Sequence, residues 1–209
     1  MWLVIHLQSA TDRLPLIQEL KDKMGHITLF YAEKGEGWLN DPTTAKKHPY
    51  PPHQTVRQGE VGCTHSHVWI LRAANATEED VGIFEDDCEV FDGSLAKEFL
   101  RVTDAAYPEA DIILLGATEY VESLPLAPRY KRVTRFWGAH AMLIRRKALH
   151  AILKTYDDGL AAGIFYPADW LYNEAIKQYG LFVVGPEKPK TFCRQRPGLV
   201  SGITGIVRH

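Results

Sequence analysis

Short apolar segments alternate along the chain with segments in which apolar side chains recur at helical spacing. The apolar runs at residues 2–7, 81–84 and 111–116 are too short for typical helices and are characteristic of buried strands. Residues 12–24 instead repeat apolar side chains every three or four positions, which predicts a helix. Buried strands separated by helices favour a mostly parallel central sheet with helices on both faces. We therefore predict an α/β fold in which residues 1–209 form one domain.

The same patterns predict the remaining elements and two irregular segments. Further strands are expected at residues 26–31, 138–145 and 181–184, and further helices at residues 60–75, 94–107, 146–156 and 167–179. Residues 33–58 hold four prolines and little periodicity, so they form a long loop that is either functional or a solvated insertion. The residues of this loop that could face a ligand are Lys46, Lys47, His48 and Tyr50. The tail at residues 186–209 is expected to wrap the domain, with Arg194 and Arg196 either over phosphates or solvated.

The composition of the chain limits its function class. A formal net charge of −2 gives no overall basic field that would attract nucleic acid, although a local basic patch is compatible with it. The three cysteines, Cys63, Cys88 and Cys193, are far apart and odd in number, which argues against a disulfide framework and favours a reducing compartment. The N-terminus lacks the basic start of a signal peptide, and no apolar run approaches the ~20 residues that cross a bilayer. We expect a cytoplasmic protein without a transmembrane segment.

Three consecutive carboxylates, Glu85, Asp86 and Asp87, follow the apolar strand at residues 81–84. Adjacent carboxylates repel one another unless a cation lies between them, and Mg²⁺ or Mn²⁺ commonly binds protein carboxylates together with phosphate oxygens. The triplet therefore indicates a metal site with a nucleotide diphosphate as co-ligand. Because side chains alternate along a strand, Glu85 and Asp87 would share a direction, and Asp86 would point elsewhere, for example toward a ribose hydroxyl. A solvated acidic turn is the alternative that the triplet alone leaves open.

Cys63, His65 and His67 form a second group of potential metal ligands. In a helix, residues two positions apart project to nearly opposite sides, so the two histidines cannot readily hold one ion together. We expect a packing or hydrogen-bonding role for at least one of the two histidines.

Several separated segments, taken together, resemble glycosyltransferase family 25, the lipooligosaccharide and procollagen galactosyltransferase-like group. VIHLQSATDR (residues 4–13) resembles its opening strand and Arg-containing turn, although His6 stands where the family commonly has Asn. GEVGCTHSHVWILRAA (residues 59–74) is similar to its GE-x-GC-x-x-SH helix, and VGIFEDDCEVF (residues 81–91) resembles its strand ending in EDD. Similar segments follow in the same order: WGAHAMLIRRKALHAIL (137–153), YPADWL (166–171) and QRPGLVSGI (195–203).

This resemblance implies a GT-A-like fold that binds a nucleotide sugar at its strand ends. It implies Mn²⁺, or else Mg²⁺, held by the EDD residues against the diphosphate of a UDP-sugar, and transfer with inversion to a hydroxyl on a glycan or protein. We assign the metal to Asp87 first and then to Glu85, with Asp86 as a further ligand or a ribose contact. Galactose or glucose is the expected sugar, and lipopolysaccharide biosynthesis is typical of the group.

Inverting transfer also needs a base that takes the proton of the acceptor hydroxyl. Asp169, beside Trp170 in the proline–Asp segment, is the candidate, because apolar neighbours would raise its pKa toward a useful range. The alternative for Asp169 is stabilisation of a helix dipole. Glu119, just beyond the strand at residues 111–116, is the second candidate for the base.

The remaining candidates surround the nucleotide sugar in this interpretation. Arg13 would contact the diphosphate or the nucleobase, unless it is a surface arginine at a helix start. Ser66 and His67 would line the nucleotide pocket, with simple helix packing as the alternative for Ser66. Residues expected to face the donor sugar or the acceptor are Trp137, Gly138 and His140. Trp137 could instead belong to the core, because large aromatic side chains are highly buried on average.

Two other functions stay open at this point. The chain could be a nucleotide-sugar-binding module without catalysis, although both Asp87 and Asp169 are present. It could also transfer sugar to a hydroxylated base in DNA, with basic loop and tail residues on the phosphates. The net charge of −2 argues mildly against nucleic acid.

Overall fold

The order of strands and helices follows the alternation that the sequence predicts. The computed structural model describes residues 1–38, 47 and 56–199. The strands are β1 (Trp2–His6), β2 (Thr28–Tyr31), β3 (Val81–Glu85), β4 (Cys88–Val90), β5 (Ile112–Gly116), β6 (Glu119–Ala127), β7 (Tyr130–Trp137), β8 (Ala141–Ile144), β9 (Val183–Pro186) and β10 (Cys193–Gln195). The helices are α1 (Leu14–Met24), α2 (Gln58–Thr77), α3 (Gly93–Ala106), α4 (Arg146–Ala161) and α5 (Ala168–Tyr179). A 3₁₀ turn at Thr11–Arg13 precedes α1.

Eight strands form one central sheet in the order β2–β1–β3–β8–β5–β9–β7–β6. The pairs β1–β2, β1–β3 and β5–β9 are parallel, whereas β7 and β8 are antiparallel to both of their neighbours. Six of the eight strands of this sheet therefore run in one direction, and only β7 and β8 run in the opposite direction. In this sense of strand direction the sheet is mostly parallel, as predicted.

Successive side chains of the central strands pack on opposite faces of the sheet. Ile83 and Leu114 belong to the core that α2, α4 and α5 cover. Their neighbours Phe84 and Ile113 belong to the core under α1 and α3. Each such fully buried side chain contributes about 1.5–3 kcal/mol of hydrophobic stabilisation. The arrangement confirms helices on both faces, and it directs the ends of β1 and β3 to one edge.

The hairpin of β6 and β7 was not expected from the sequence. Side chains of β6 are exposed or half-exposed along its whole length, so no apolar run marks the strand. Pro125 also argues against a central strand, but β6 lies at the edge of the sheet, where proline is tolerated. The hairpin therefore depends on pairing with a neighbour in the sheet rather than on a local signal.

The predicted loop and tail are described in part. Within residues 33–58, Lys46, His48 and Tyr50 lie outside the described residues, whereas the carbonyl of Lys47 accepts the N–H of Phe165 at 2.9 Å. The tail returns to the acidic turn, where β10 pairs antiparallel with β4 in a separate two-stranded sheet and Gly198 and Leu199 line the cavity at the end of β3. Among the described helices, none combines the length and the apolar composition needed to cross a membrane.

Candidate active site

A cavity of about 820 Å³ opens at the carboxyl ends of β1 and β3. In open α/β sheets, ligands bind beyond these strand ends. The 3₁₀ turn before α1, the segment after β2, the first turns of α2 and the end of β3 form its walls. Charged and polar residues on these walls include Arg13, Glu33, Lys34, Cys63, Glu85 and Asp87.

Asp86 is bound by two residues from the first elements of the chain. His6 Nδ1 lies 2.8 Å from Asp86 Oδ2, and Arg13 Nη1 donates to Asp86 Oδ1. Burial opposes the charge of Arg13, but the carboxylates of Asp86 and Asp87 outweigh burial and raise the pKa of the guanidinium. Asp86 is only 6% exposed, so the pair neutralises an otherwise costly buried charge. Both carboxylate oxygens of Asp86 thus contact side chains of the protein. Arg13, which the sequence predicted to contact the diphosphate or the nucleobase, donates to one of these oxygens.

Glu85 turns toward α2 and the tail. Its Oε1 lies 3.8 Å from Cys63 Sγ and 3.7 Å from His67 Nε2, and its Oε2 accepts from Gln195 Nε2 at 3.2 Å. Burial raises the pKa of the Cys63 thiol well above its ordinary value, and the charge of Glu85 adds to this effect. The three adjacent carboxylates therefore diverge after β3, and Glu85 and Asp86 face different partners.

Asp87 is 4% exposed and lines the cavity. Its backbone carbonyl accepts the N–H of Arg196 at 2.7 Å, which fixes the acidic turn against the tail. The tail arginines pair elsewhere: Arg194 Nε donates to Glu89 at 2.9 Å, and Arg196 Nη2 donates to Glu19 at 2.7 Å. Both guanidinium groups are thus held by carboxylates of the protein.

The polar residues of the α2 motif contact different parts of the protein. Ser66 Oγ donates to the carbonyl of Gly62 at 2.7 Å and accepts the N–H of Glu33 at 2.9 Å, so it holds the cavity wall without lining it. His67 is fully buried, and its Nδ1 lies 2.8 Å from Tyr172 Oη. His65 packs among aromatic rings instead, 5.6 Å from Trp38 between ring centroids. The two histidines do face different surroundings, as helical geometry predicts.

Asp169 lies in the first turn of α5 and reaches across to the segment between β7 and β8. Its Oδ2 accepts the N–H of Gly138 at 3.0 Å, and its Oδ1 accepts the N–H of Ala139 at 2.9 Å. Burial raises the pKa of the Asp169 carboxyl, and the charge of Glu85 raises it further, against the opposing effect of the two backbone N–H groups. Gly138 has φ +83°, and a Cβ there would lie 2.2 Å from Thr118 Oγ1, so this contact requires glycine.

Two tryptophans and an arginine lie beside Asp169. The rings of Trp137 and Trp170 meet edge to face, with centroids 5.0 Å apart. The guanidinium of Arg135 lies 5.2 Å from the centroid of Trp137 and 5.4 Å from that of Trp170. Both tryptophans are half-buried, so Trp137 is not a core residue, and the group forms a partly exposed aromatic surface.

None of the candidates from β6 to α5 belongs to the cavity lining: Asp169, Trp137, Gly138, Glu119 and His140. Glu119 is exposed at the start of β6, opposite Trp137 in the ladder. His140 is fully buried, and its Nε2 together with Cys193 Sγ fills the space above Gly116. Its imidazole therefore does not line the cavity, although its backbone carbonyl accepts the N–H of Glu85 at 3.0 Å.

The residues at the end of β3 suit a hard divalent cation. Asp87 and Glu85 both line the cavity and offer carboxylate oxygens, the ligands that Mn²⁺ and Mg²⁺ share with phosphate. Asp86 fits this role least well, because Arg13 and His6 occupy its oxygens. The donor set thus fits such a cation with two carboxylates rather than three.

Sequence reasoning gave no site role to two residues that contact the acidic turn, His6 and Gln195. His6 stood out only as a departure from the family pattern, and its partner Asp86 lies far along the chain. Cys63 and His67 were considered as potential ligands together with His65, and their own spacing of four residues places them on one face of a helix. Gln195 carried no local signal of its contact with Glu85.

Comparison with known proteins bears on this site. A family model described as Glycosyltransferase family 25 (LPS biosynthesis protein) matches residues 1–158. No curated protein sequence gives a significant match. Among solved structures, A197 from STIV has a TM-score of 0.51 at 12% identity, with coverage of 100% of this chain and 97% of that chain. A Drosophila β1,4-galactosyltransferase 7 in complex with manganese, UDP-Gal and xylobiose has a TM-score of 0.48 at 10% identity, with coverage of 93% and 69%.

The family match covers most of the chain and includes β1, the α2 motif and the acidic turn after β3. The likeness to A197 from STIV extends over the whole chain and concerns the fold alone. Sequence and architecture agree with the GT-A-like α/β fold that the motifs imply. The chain belongs to glycosyltransferase family 25 and is a glycosyltransferase.

Proposed function

We propose that the protein transfers a hexose, galactose or glucose, from a UDP-sugar to a hydroxyl group on a glycan or protein, with inversion and with a divalent cation. The observation that carries this proposal is the convergence of Asp87, Glu85 and Asp169 at one end of the sheet. Asp87 and Glu85 line the cavity, and the N–H of Glu85 donates to His140, the neighbour of the Ala139 whose N–H Asp169 accepts. The cavity volume of about 820 Å³ lies within the common range for small-molecule sites, about 300–1,000 Å³.

Asp87 and Glu85 would hold Mn²⁺ or Mg²⁺ beside the diphosphate of the donor. When bound, such a cation acts as a Lewis acid that neutralises the charge on the leaving diphosphate. Asp86 and Arg13 contribute as a neutral, buried pair that keeps the acidic turn in place. In this proposal Arg13 positions the turn and reaches the donor from the cavity wall, which it lines.

Asp169 would accept the proton of the acceptor hydroxyl. A general base of this kind must be ionised and must lie on the side of the sugar opposite the leaving group. Its raised pKa makes it a stronger base than an exposed aspartate. The surface of Trp137, Trp170 and Arg135 beside it would bind the acceptor. Glu119, exposed across from Trp137, is the competing assignment for the base.

Release of UDP from a panel of UDP-sugars tests the proposal, with a glycan or peptide acceptor and with Mn²⁺ or EDTA. We expect turnover with Mn²⁺ and its loss with EDTA. Asp87→Asn should lower kcat by on the order of 10³-fold, because the cation supplies several kcal/mol of charge stabilisation. Asp80→Asn, at the opposite end of β3, is the matched control and should keep full activity.

Three outcomes would contradict this proposal or narrow it. Turnover that persists in EDTA would remove the cation from the mechanism. Full activity of Asp87→Asn would remove the residue assigned to that cation. Thermal stabilisation by a UDP-sugar without any turnover would instead indicate a binding module, since a ligand that binds the native state raises its melting temperature.

A further inference from the structure

One group of side chains outside the Asp87 carboxylate gathers three different metal-ligating atoms. Cys63 and His67 lie one turn apart on the same face of α2, and Glu85 ends the strand that packs beside them. The sulfur of Cys63, a ring nitrogen of His67 and a carboxylate oxygen of Glu85 all lie within 4.8 Å of one another. Thiolate, imidazole and carboxylate together are the ligands of borderline transition metals such as Zn²⁺.

His67 is oriented for ligation. Its Nδ1 is fixed by Tyr172 Oη at 2.8 Å, which turns Nε2 toward Glu85. The imidazole is fully buried, yet Nε2 has no hydrogen-bond partner within the described part of the chain. A buried polar atom in this state is costly unless another ligand satisfies it. A hydrogen bond to one ring nitrogen that leaves the other free to bind is the usual arrangement around metal-binding histidines.

Two separations within this group are compatible with a shared ion. His67 Nε2 and Glu85 Oε1 are 3.7 Å apart, beyond hydrogen-bonding range, and the Cys63 thiol donates a long hydrogen bond to the same oxygen at 3.8 Å. Around a tetrahedral ion with bonds of about 2.0–2.3 Å, ligand atoms lie about 3.3–3.8 Å apart. The two separations from Glu85 Oε1 fall in this range, and the third, between Cys63 Sγ and His67 Nε2, is within 4.8 Å.

We propose that Cys63, His67 and Glu85 form a binding site for a transition-metal ion of the Zn²⁺ class, with the fourth position open to the cavity. Cys63 and Glu85 both line the cavity, which gives the ion a route of access. The site shares Glu85 with the proposed Mn²⁺ site but not Asp87, whose carboxylate is not part of this group. It requires no nucleotide and does not depend on the proposed donor or reaction.

Titration of the nucleotide-free protein with Zn²⁺ and Co²⁺ tests the site. Isothermal calorimetry should give one bound Zn²⁺ per chain, and Co²⁺ should develop the near-ultraviolet charge-transfer band of a thiolate ligand. Cys63→Ser and His67→Gln should each weaken Zn²⁺ binding by more than about 100-fold, and Tyr172→Phe by about 10-fold through the lost orienting contact. His65→Gln, two positions away on the same helix, should bind as the unaltered chain does.

Alkylation provides a readout that needs no substitution. Zn²⁺ should protect Cys63 from iodoacetamide, as measured by mass spectrometry, and should leave the slower labelling of buried Cys88 and Cys193 unchanged. Absence of the thiolate band, or equal labelling of Cys63 with and without Zn²⁺, would overturn the proposal. Loss of Zn²⁺ binding in Asp87→Asn together with full binding in Cys63→Ser would assign the ion to the acidic turn instead.

Discussion

Strand β3 has carboxylates at both of its ends, and these carboxylates have different surroundings. At the amino end, Asp80 Oδ2 accepts from Arg145 at 2.6 Å, and Oδ1 accepts the N–H of Arg146 at 2.8 Å, where α4 begins. At the carboxyl end, Glu85 and Asp87 line a cavity, and Glu85 faces a thiol and an imidazole. The same side-chain chemistry thus holds the start of α4 at one end of the strand and lines a cavity at the other.

Asp86 lies at the carboxyl end of β3, but its contacts resemble those of Asp80 at the amino end. It belongs to the acidic turn by sequence, but Arg13 and His6 satisfy it as completely as Arg145 satisfies Asp80. Direct contacts with Arg13 and His6 offset the cost of burying the charge of Asp86. We therefore expect Asp86 to contribute mainly to stability.

The largest expected effect is on catalysis. Asp169→Asn should lower kcat by on the order of 10²–10⁴-fold, because it removes the proposed base. Its amide has one oxygen and therefore also loses one of the contacts to the N–H groups of Gly138 and Ala139. Because the pKa of Asp169 is raised, kcat of the unaltered protein should fall as pH drops through that raised value, when the carboxyl gains a proton. A pH–rate profile measures this limb, and Asp169→Asn should abolish it.

Glu119→Gln is the matched control for this assignment. Glu119 is exposed and lies on β6, so its amide variant should leave the acidic limb of the profile intact. If Glu119→Gln removed the limb and Asp169→Asn retained it, the base would be Glu119, and Asp169 would serve only to hold Gly138 and Ala139.

An intermediate effect is expected for the internal pair. Asp86→Ala leaves the guanidinium of Arg13 and the ring of His6 without their carboxylate, and breaking a buried pair in this way costs about 3 kcal/mol or more. Urea denaturation should show this loss in the free energy of unfolding. Asp86→Asn retains one acceptor oxygen and should lose less. A change below about 0.5 kcal/mol for Asp86→Ala would be the size seen for ordinary surface substitutions and would contradict a structural role for Asp86.

The smallest effect is expected at the amino end of β3. Asp80 is 36% exposed, so Asp80→Asn should cost no more than about 1 kcal/mol of unfolding free energy and leave kcat unchanged. Burial works to raise the pKa of Asp80, but the N–H of Arg146 and the charge of Arg145 outweigh it and lower the pKa. The contribution of Asp80 is therefore present above the pKa of an unfolded aspartate and is lost as pH falls through its lowered folded value.

Stability measured against pH checks this last prediction. The unaltered protein and Asp80→Asn should converge in acid and differ near neutral pH. Asp157→Asn, which removes an exposed pair with Arg72, is the control and should change stability still less. A loss of transferase activity in Asp80→Asn at unchanged stability would break the distinction between the two ends of β3.

Much of the fold could be predicted because buried strands and helices have characteristic local patterns of apolar residues. Strands buried on both faces, such as β3 and β5, are continuous apolar runs, and the amphipathic helices repeat at their own period. The exposed edge strand β6 has no apolar pattern of this kind, which is why its hairpin with β7 was not predicted. The position of the acidic turn at the end of β3 was predictable for the same reason as β3 itself.

By itself, the sequence determined the order of the helices and of the buried strands, the strand that ends in three carboxylates and the family to which the chain belongs. Only the tertiary structure decided what each carboxylate meets: Arg13 and His6 for Asp86, Cys63, His67 and Gln195 for Glu85. The physical reason is that burial follows local periodicity, whereas the state of a charged group depends on atoms a few ångströms away. Those atoms belong to residues that are remote along the chain, and only folding brings them together.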